Sequence, residues 1–265
     1  MEERKKLAFK LCLEAREILL RKFNDVRNIA EKSANDYVTD ADLKIEKYLI
    51  DSISAKFKQD TIISEEKGTL KGNTEFKWII DPLDGTNNYL RGISLAGMQM
   101  AILKDEKPLF GILLDPFMNE IYYAEKGKGA FKTDIHLKRK IKIQVSDRCL
   151  GNAMVVFSSS LTNDKGEEQI KVLKEILPLI GSMRMFGVAI RCFPFIAQGS
   201  TEAIISFIPK SYDITAGSLL VEEAGGKVTT FDGKPWFPDM PNLVASNSKI
   251  HNELVGILKK TWKNQ

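Results

Sequence analysis

Between Leu95 and Ala124 three apolar, strand-forming stretches follow one another closely, at 95–103, 109–114 and 121–124. The connectors, Lys104-Asp105-Glu106-Lys107 and Asp115-Pro116-Phe117-Met118-Asn119, are turn segments too short to carry a crossover. Neighbouring strands must therefore reverse direction. Earlier runs at 61–64 and 77–80 extend the pattern. Upstream, Leu7, Leu11, Ala15, Ile18 and Leu19 recur at helical spacing and predict an amphipathic helix over 3–22. Asn24 to Asp36 reads as a polar loop. Thr39 then reads as an N-cap with Asp42 at the third helical position, a capping box, and Ile45, Leu49, Ile53 and Phe57 continue that helix. Gly68 to Thr74 reads as a loop. The first half is thus expected to be a largely antiparallel sheet covered by two helices.

The second half alternates instead. Strands are predicted at 155–157, 183–186, 203–207 and 243–245, with helices at 167–177, 188–198, 214–224 and 249–262. Alternation of this kind builds a sheet with helices on its faces. The segment 132–150 is charged, and a soft boundary near 140 divides the chain into an N-terminal α+β subdomain, 1–140, and a C-terminal α/β subdomain, 141–265, forming one functional unit. At 265 residues the whole can bury a substantial core.

Several function classes are disfavoured. The formal charge of +4 is spread along the chain, and no basic patch is interleaved with aromatics, so nucleic acid is not an expected partner. No apolar run approaches the ~20 residues of a membrane span, and Met1-Glu2-Glu3-Arg4-Lys5-Lys6 is not a signal peptide. Cys12, Cys149 and Cys192 show no zinc spacing and read as buried free thiols in a reducing, cytoplasmic setting. His136 and His251 are isolated and read as surface or loop residues.

The chemistry concentrates after Trp78-Ile79-Ile80, in Asp81-Pro82-Leu83-Asp84-Gly85-Thr86. Pro82 is expected to end the strand, leaving two carboxylates near one point. Gly85 permits a sharp turn, and Thr86-Asn87-Asn88 begins a helix. Carboxylate oxygens suit a hard cation and free backbone N–H groups suit an anion, so a magnesium ion and a phosphate ester match the pair. Alone, the two acids read equally well as a solvated turn. Three further acidic clusters stand at strand ends or helix starts: Thr39-Asp40-Ala41-Asp42, Ser64-Glu65-Glu66, and Tyr212-Asp213-Ile214-Thr215-Ala216-Gly217.

Together these resemble the inositol monophosphatase family of magnesium-dependent, lithium-sensitive phosphomonoesterases. Trp78 to Asn88 matches its Asp-Pro-x-Asp-Gly-Thr-x-Asn core, and Asp213 to Gly226 its Asp-x-x-Ala-Gly…Glu-Ala-Gly-Gly signature. Gly127 to Phe131 matches a further family segment, although Lys132-Thr133-Asp134 replaces the Asn-Gly turn that often follows. The resemblance runs from about Lys32 to the C-terminus. It implies a layered αβαβα sandwich, a homodimer, and two or three Mg2+ ions, with Mn2+ as a substitute.

By the same resemblance, Glu65, Asp81 and the backbone carbonyl of Leu83 hold one ion. Asp81, Asp84 and Asp213 hold a second, and Glu65 shares a third through waters. Asp42 and Thr86, with Glu65, form the catalytic group: the Thr86 hydroxyl passes a hydrogen bond from the attacking water toward the Asp42 carboxylate. The alternative reading of Asp42 is a helix cap alone. Asp84, Gly85, Thr86, Gly187, Ala189 and Asp213 are the implied phosphate and substrate contacts. Glu66 stands either as support for these ligands or as an exposed acid beside one.

Ser206 departs from the glutamate that inositol-specialised members often carry, and serine cannot supply a charged acceptor at the same reach. Arg184, Arg191 and Lys210 are candidates for a second phosphate. Tyr212 replaces a usual Trp and keeps an aromatic plug. The expected substrate is a small phosphorylated polyol, myo-inositol 1-phosphate before others. Alternatives are a broad sugar-phosphate or fructose-1,6-bisphosphate phosphatase, and a regulatory RNA- or protein-binding member. A 3′-phosphatase for adenosine bisphosphates ranks lower, because 184–212 suggests no base pocket.

Overall fold

A computed structural model describes residues 1–23, 29–33, 36–158, 166–207 and 209–262. The first half comprises α1 (Glu2–Lys22), β1 (Ala30–Ser33), β2 (Asp36–Val38), α2 (Asp40–Lys56), β3 (Thr61–Ser64), β4 (Gly68–Leu70), β5 (Phe76–Asp84), α3 (Thr86–Leu90), β6 (Gly97–Lys104), β7 (Lys107–Asp115), β8 (Glu120–Glu125), β9 (Gly129–Asp134) and β10 (Ile141–Ile143). After β1 and β2, which pair as a small hairpin, the remaining strands form one sheet in the order β10-β9-β8-β7-β6-β5-β3-β4. Every pair in it is antiparallel except β3 with β5.

The second half comprises β11 (Met154–Ser158), α4 (Gly166–Ile176), β12 (Ser182–Arg184), α5 (Ala189–Ala197), β13 (Ala203–Phe207), α6 (Ser211–Glu223), β14 (Lys227–Thr229), β15 (Asn242–Ser246) and α7 (His251–Thr261). Its sheet runs β12-β11-β13-β15-β14, with β12, β11 and β13 parallel and the other two pairings antiparallel.

Side-chain alternation along the strands stacks these elements into five layers. One face of the larger sheet, with Trp78, Ile80, Met100 and Ile112, buries Leu11 and Leu19 of α1 and Ile45 and Leu49 of α2. The opposite face, with Ile79, Ala101 and Leu113, packs on Phe193 and Ile196 of α5 and Leu219 and Leu220 of α6. The same central layer is covered from the other side by Val156, Ile204 and Leu243 of the smaller sheet. The outer face of that sheet, with Val155, Phe157 and Val244, packs on Val172 of α4 and Leu254 and Leu258 of α7. The order is αβαβα, as the resemblance implies. Gly217 lets α5 and α6 approach closely, since a Cβ there would lie 2.3 Å from Phe193 Cγ.

Several sequence expectations are corrected. The polar loop expected over 24–36 holds β1 and the start of β2 within its described residues, and Gly68–Leu70 of the expected 68–74 loop is an edge strand. The charged 132–150 segment contains the end of β9 and all of β10, so the larger sheet continues to Ile143. Pro82 does not end its strand. The β5–β6 ladder runs to Asp81↔Gln99, slips, and resumes at Asp84↔Gly97. The proline sits in that bulge, where the ladder requires no N–H. Cys12 and Cys192 are buried, whereas Cys149 is exposed. His136 is exposed as expected, but His251 is buried and lies within hydrogen-bond distance of Ser246 and Thr229. Among the described residues no helix is long and apolar enough to cross a membrane.

Candidate active site

The bulge in β5 turns a strand end into a compact acidic corner. The Leu83 amide donates to Asp81 Oδ1 at 3.1 Å, a local turn that fixes one carboxylate within the bulge. Gly85 follows with φ 86°, and a Cβ there would lie 2.7 Å from the Leu95 carbonyl oxygen and 2.9 Å from Val188 Cγ2. Both the left-handed backbone and the lack of space require glycine. Thr86 comes next, its Oγ1 3.0 Å from the Leu83 carbonyl oxygen and 3.1 Å from Asp42 Oδ1. One hydroxyl proton therefore has two acceptors within reach.

Asp42 both closes a helix and faces Thr86. Its Oδ2 accepts from the Thr39 amide at 2.8 Å and from the Thr39 hydroxyl, completing the capping box, while Oδ1 faces Thr86. The side chain is buried. That burial pushes its carboxyl up to about 6, although hydrogen bonds from Thr39 and Thr86 pull the other way.

The second half closes the corner through two helix starts. The first amides of α5 point at Asp84: its Oδ2 accepts from Ile190 N–H, and Ala189 N–H also bonds the carboxylate. Val188, the N-cap residue, supplies no side-chain cap, so Asp84, 106 residues before Ile190 in the chain, caps the helix at its positive dipole end. Asp213 is the third residue of α6, whose first turn begins at Ser211 rather than at 214. Gln99 Nε2 donates to the Asp213 carbonyl oxygen at 2.8 Å. The same Gln99 pairs with Asp81 in the ladder, so one buried side chain connects the two halves beside the acids.

Glu65, Asp81, Leu83, Asp84, Gly85, Thr86, Gly187 and Asp213 line one cavity of about 290 Å³, together with Tyr37 and Asn87. An adjoining recess of about 150 Å³ shares Asp84, Gly187 and Asp213 and adds Ser158, Ala189 and Ser206. Burial and the charges of Glu65, Asp84, Asp213 and Asp42 hold the Asp81 carboxyl well above the usual carboxylate range. Asp84 is raised likewise, by burial and then by Asp213, against the amides of Ile190 and Ala189. Acids from four places in the chain repel one another across this space.

Comparisons with known proteins identify the family. The family model described as the inositol monophosphatase family matches residues 1–265. The chain belongs to the inositol monophosphatase family. An Aquifex aeolicus protein named fructose-1,6-bisphosphatase/inositol-1-monophosphatase is 30% identical over 252 residues, covering 94% of this chain and 92% of its own. A Xylella fastidiosa protein named Nus factor SuhB is 31% identical over 257 residues, covering 94% and 92%. The solved structure of a Thermotoga maritima inositol monophosphatase matches with a TM-score of 0.87 at 28% identity, over 98% of each chain.

For an inositol monophosphatase fold the donor set can be tested against a metal ion. The cavity offers carboxylates and one backbone carbonyl, which are hard oxygen donors suited to Mg2+. Among the described residues no three His, Cys, Asp or Glu side chains form a ready-made metal cluster. The acids share a cavity without having closed on a common point. Their mutual repulsion is what a divalent cation would offset, so the residues fit the group.

The candidate specificity residues separate. Ser206 is buried and lines the recess beside Asp213, and the parallel register sets Ser158 next to it. Arg184, Arg191 and Lys210 line neither recess nor cavity. Arg191 is held by Asp115, with Nε 2.6 Å from Oδ2 and both side chains largely buried. Arg184 is exposed and donates to the Met183 carbonyl, while exposed Lys210 is the N-cap residue of α6. Glu66 contributes its backbone N–H to Glu46, and Tyr212 is partly buried against the central layer.

Sequence reasoning missed Gln99, Ser158, Tyr37 and Glu46. Ser158 alone carried a usable signal, a polar residue immediately after the apolar run Val155-Val156-Phe157.

Proposed function

We propose that this chain hydrolyses a small phosphate monoester with the aid of Mg2+, myo-inositol 1-phosphate being the first substrate to test. The observation that carries the reading is the gathering of Glu65, Asp81, Leu83, Asp84, Thr86 and Asp213 around one cavity, with Thr86 directed at Asp42. Glu65, Asp81 and the Leu83 carbonyl would hold one ion, and Asp81, Asp84 and Asp213 a second. An ion held there would supply charge neutralisation at the phosphate and a lowered pKa for the attacking water.

The protein's own groups do the rest. Thr86 Oγ accepts a hydrogen bond from the water while donating to Asp42, which orients a lone pair toward phosphorus and gives the proton a buried acceptor. Amides of Gly85 and Thr86 hold phosphate oxygens, and Gly187 and Ala189 face the alcohol. Ser158 and Ser206 offer the alcohol neutral hydrogen-bonding groups in a recess whose acids among the described residues are Asp84 and Asp213.

That neutral lining favours a second enzymatic reading, a broad sugar-phosphate or fructose-1,6-bisphosphate phosphatase, in keeping with the name of the Aquifex aeolicus relative. A reading of another class, a regulatory role in an RNA- or protein-containing assembly, draws on the relative named Nus factor SuhB. We further propose a cytoplasmic homodimer. Phosphate release from a panel of esters, with Mg2+ and with chelator, tests the reaction and ranks the substrates. Release that ignores the chelator would contradict it. A nucleic-acid shift titrated with salt tests the regulatory reading.

A further inference from the structure

Glu46 lies one helical turn after Asp42 on the same face of α2 and is fully buried. Three donors converge on its Oε1: Ser64 Oγ at 2.5 Å, Glu66 N at 3.0 Å and Lys67 N at 2.9 Å. All three belong to one short segment, the end of β3 and the turn that leads into β4. Successive backbone N–H groups of a tight turn form a concave anion site, and here a carboxylate from a neighbouring helix fills it. Glu65 stands in the middle of this segment, on the cavity, and among the charges around Asp81 its effect is the largest.

A fully buried glutamate is costly unless its hydrogen bonds are needed. Glu46 spends its acceptor on both neighbours of Glu65 and makes no contact with the cavity. Its other oxygen, Oε2, is buried and has no hydrogen-bond partner among the described residues. The arrangement therefore serves the turn. We infer that Glu46 is the positioning residue for Glu65: by pinning the 64–67 turn to α2, it fixes the Glu65 carboxylate relative to Asp81 and sets metal affinity. α2 thereby holds two parts of the site in one register, Thr86 through Asp42 and Glu65 through Glu46. The inference rests on the reading of Glu65 as a metal ligand.

The test uses Mn2+ as the probe, in the full chain, with Glu46→Leu, which removes the acceptor, the milder Ser64→Ala, Glu65→Gln, and the Glu46→Leu/Glu65→Gln double variant. Two readouts do not depend on turnover: Mn2+ affinity by electron paramagnetic resonance, and amide hydrogen exchange of Glu66 and Lys67 in metal-free protein. Glu46→Leu is expected to speed exchange at those two amides and to weaken Mn2+ binding roughly tenfold. Ser64→Ala should act in the same direction by less. In the Glu65→Gln background Glu46→Leu should add no further loss of affinity.

In the Mg2+ dependence of turnover, half-saturation should rise while kcat at saturating Mg2+ stays within about threefold of the original. A purely structural role would lower the folded fraction without moving half-saturation. Unchanged Mn2+ affinity in folded Glu46→Leu, or an equal loss in the Glu65→Gln background, would overturn the inference while leaving the proposed function intact. If the unaltered protein binds no Mn2+, both fall together. If Glu46→Leu does not fold, Ser64→Ala carries the same comparison.

Discussion

Thr86 Oγ1 lies 3.1 Å from Asp42 Oδ1, although the two residues come from the start of α3 and the first turn of α2. The contact joins a capping box to the acidic corner, so a residue that closes a helix also faces the proposed attacking water. Thr86→Val keeps the shape and removes the hydroxyl. We expect kcat to fall roughly 10²–10⁴-fold with Mn2+ affinity and folding unchanged, the range of general-base assistance. Steady-state rates at saturating Mg2+ check this, and near-normal turnover would remove Thr86 from the mechanism.

Asp84 belongs both to the proposed metal site and to the start of α5. Asn can still accept the Ile190 and Ala189 amides at the start of α5, so Asp84→Asn should fold while losing metal binding and turnover. Asp84→Leu should in addition lose about 1 kcal/mol or more of stability, because the α5 amides lose their cap. Chemical denaturation of both variants separates the two effects. Active Asp84→Asn would count against the metal assignment.

Ser206 tests specificity. Its side chain lines the recess with Ala189 and Asp213, and a glutamate there would place a charged acceptor against substrate hydroxyls. Ser206→Glu is expected to shift the kcat/KM ratio toward inositol 1-phosphate over fructose 1,6-bisphosphate by roughly tenfold, the worth of about 1.4 kcal/mol. An unchanged ratio would make Ser206 a bystander.

Buried His251 predicts a pH dependence of stability distant from the site. Its Nδ1 is 2.7 Å from Ser246 Oγ and its Nε2 2.9 Å from Thr229 Oγ1. Burial, and then the charge of Lys227, lower it from the ordinary 6.5 to about 4. Between those values the unfolded chain binds the proton and the folded one does not. Stability is therefore fully present above the ordinary value and is lost as pH falls toward and below 4, by about 3 kcal/mol in all. His251→Gln removes the titration, so denaturation midpoints measured from pH 7 to 4 should fall less steeply in the variant. Parallel curves would contradict the linkage.

The layers and the acidic corner were legible because their signals are local. Apolar, strand-forming runs and short turns announced β6, β7 and β8, and each acid stood at a strand end or helix start. What escaped has a physical reason. Strands β4, β10 and β14 are three residues each, lie at or beside sheet edges, and contain Thr69, Lys142 and Lys227, so alternation has no length in which to appear. Pro82 reads as a stop unless the bulge that accommodates it is known. Glu46 looks like any helical glutamate until the 64–67 turn folds onto it, and Arg191 looks like a free cation until Asp115 arrives from β7. Buried His251 likewise depends on partners from β14 and β15.

The central claim is that acids from both halves of the chain gather around divalent cations beside Gly85 and Thr86. Crystals grown with Mn2+ and measured for anomalous scattering test it most directly. The account predicts anomalous density bounded by Glu65, Asp81, Asp84 and Asp213, lost in Asp84→Asn. Well-ordered crystals with no anomalous density in that cavity, or with metal bound only elsewhere, would contradict it.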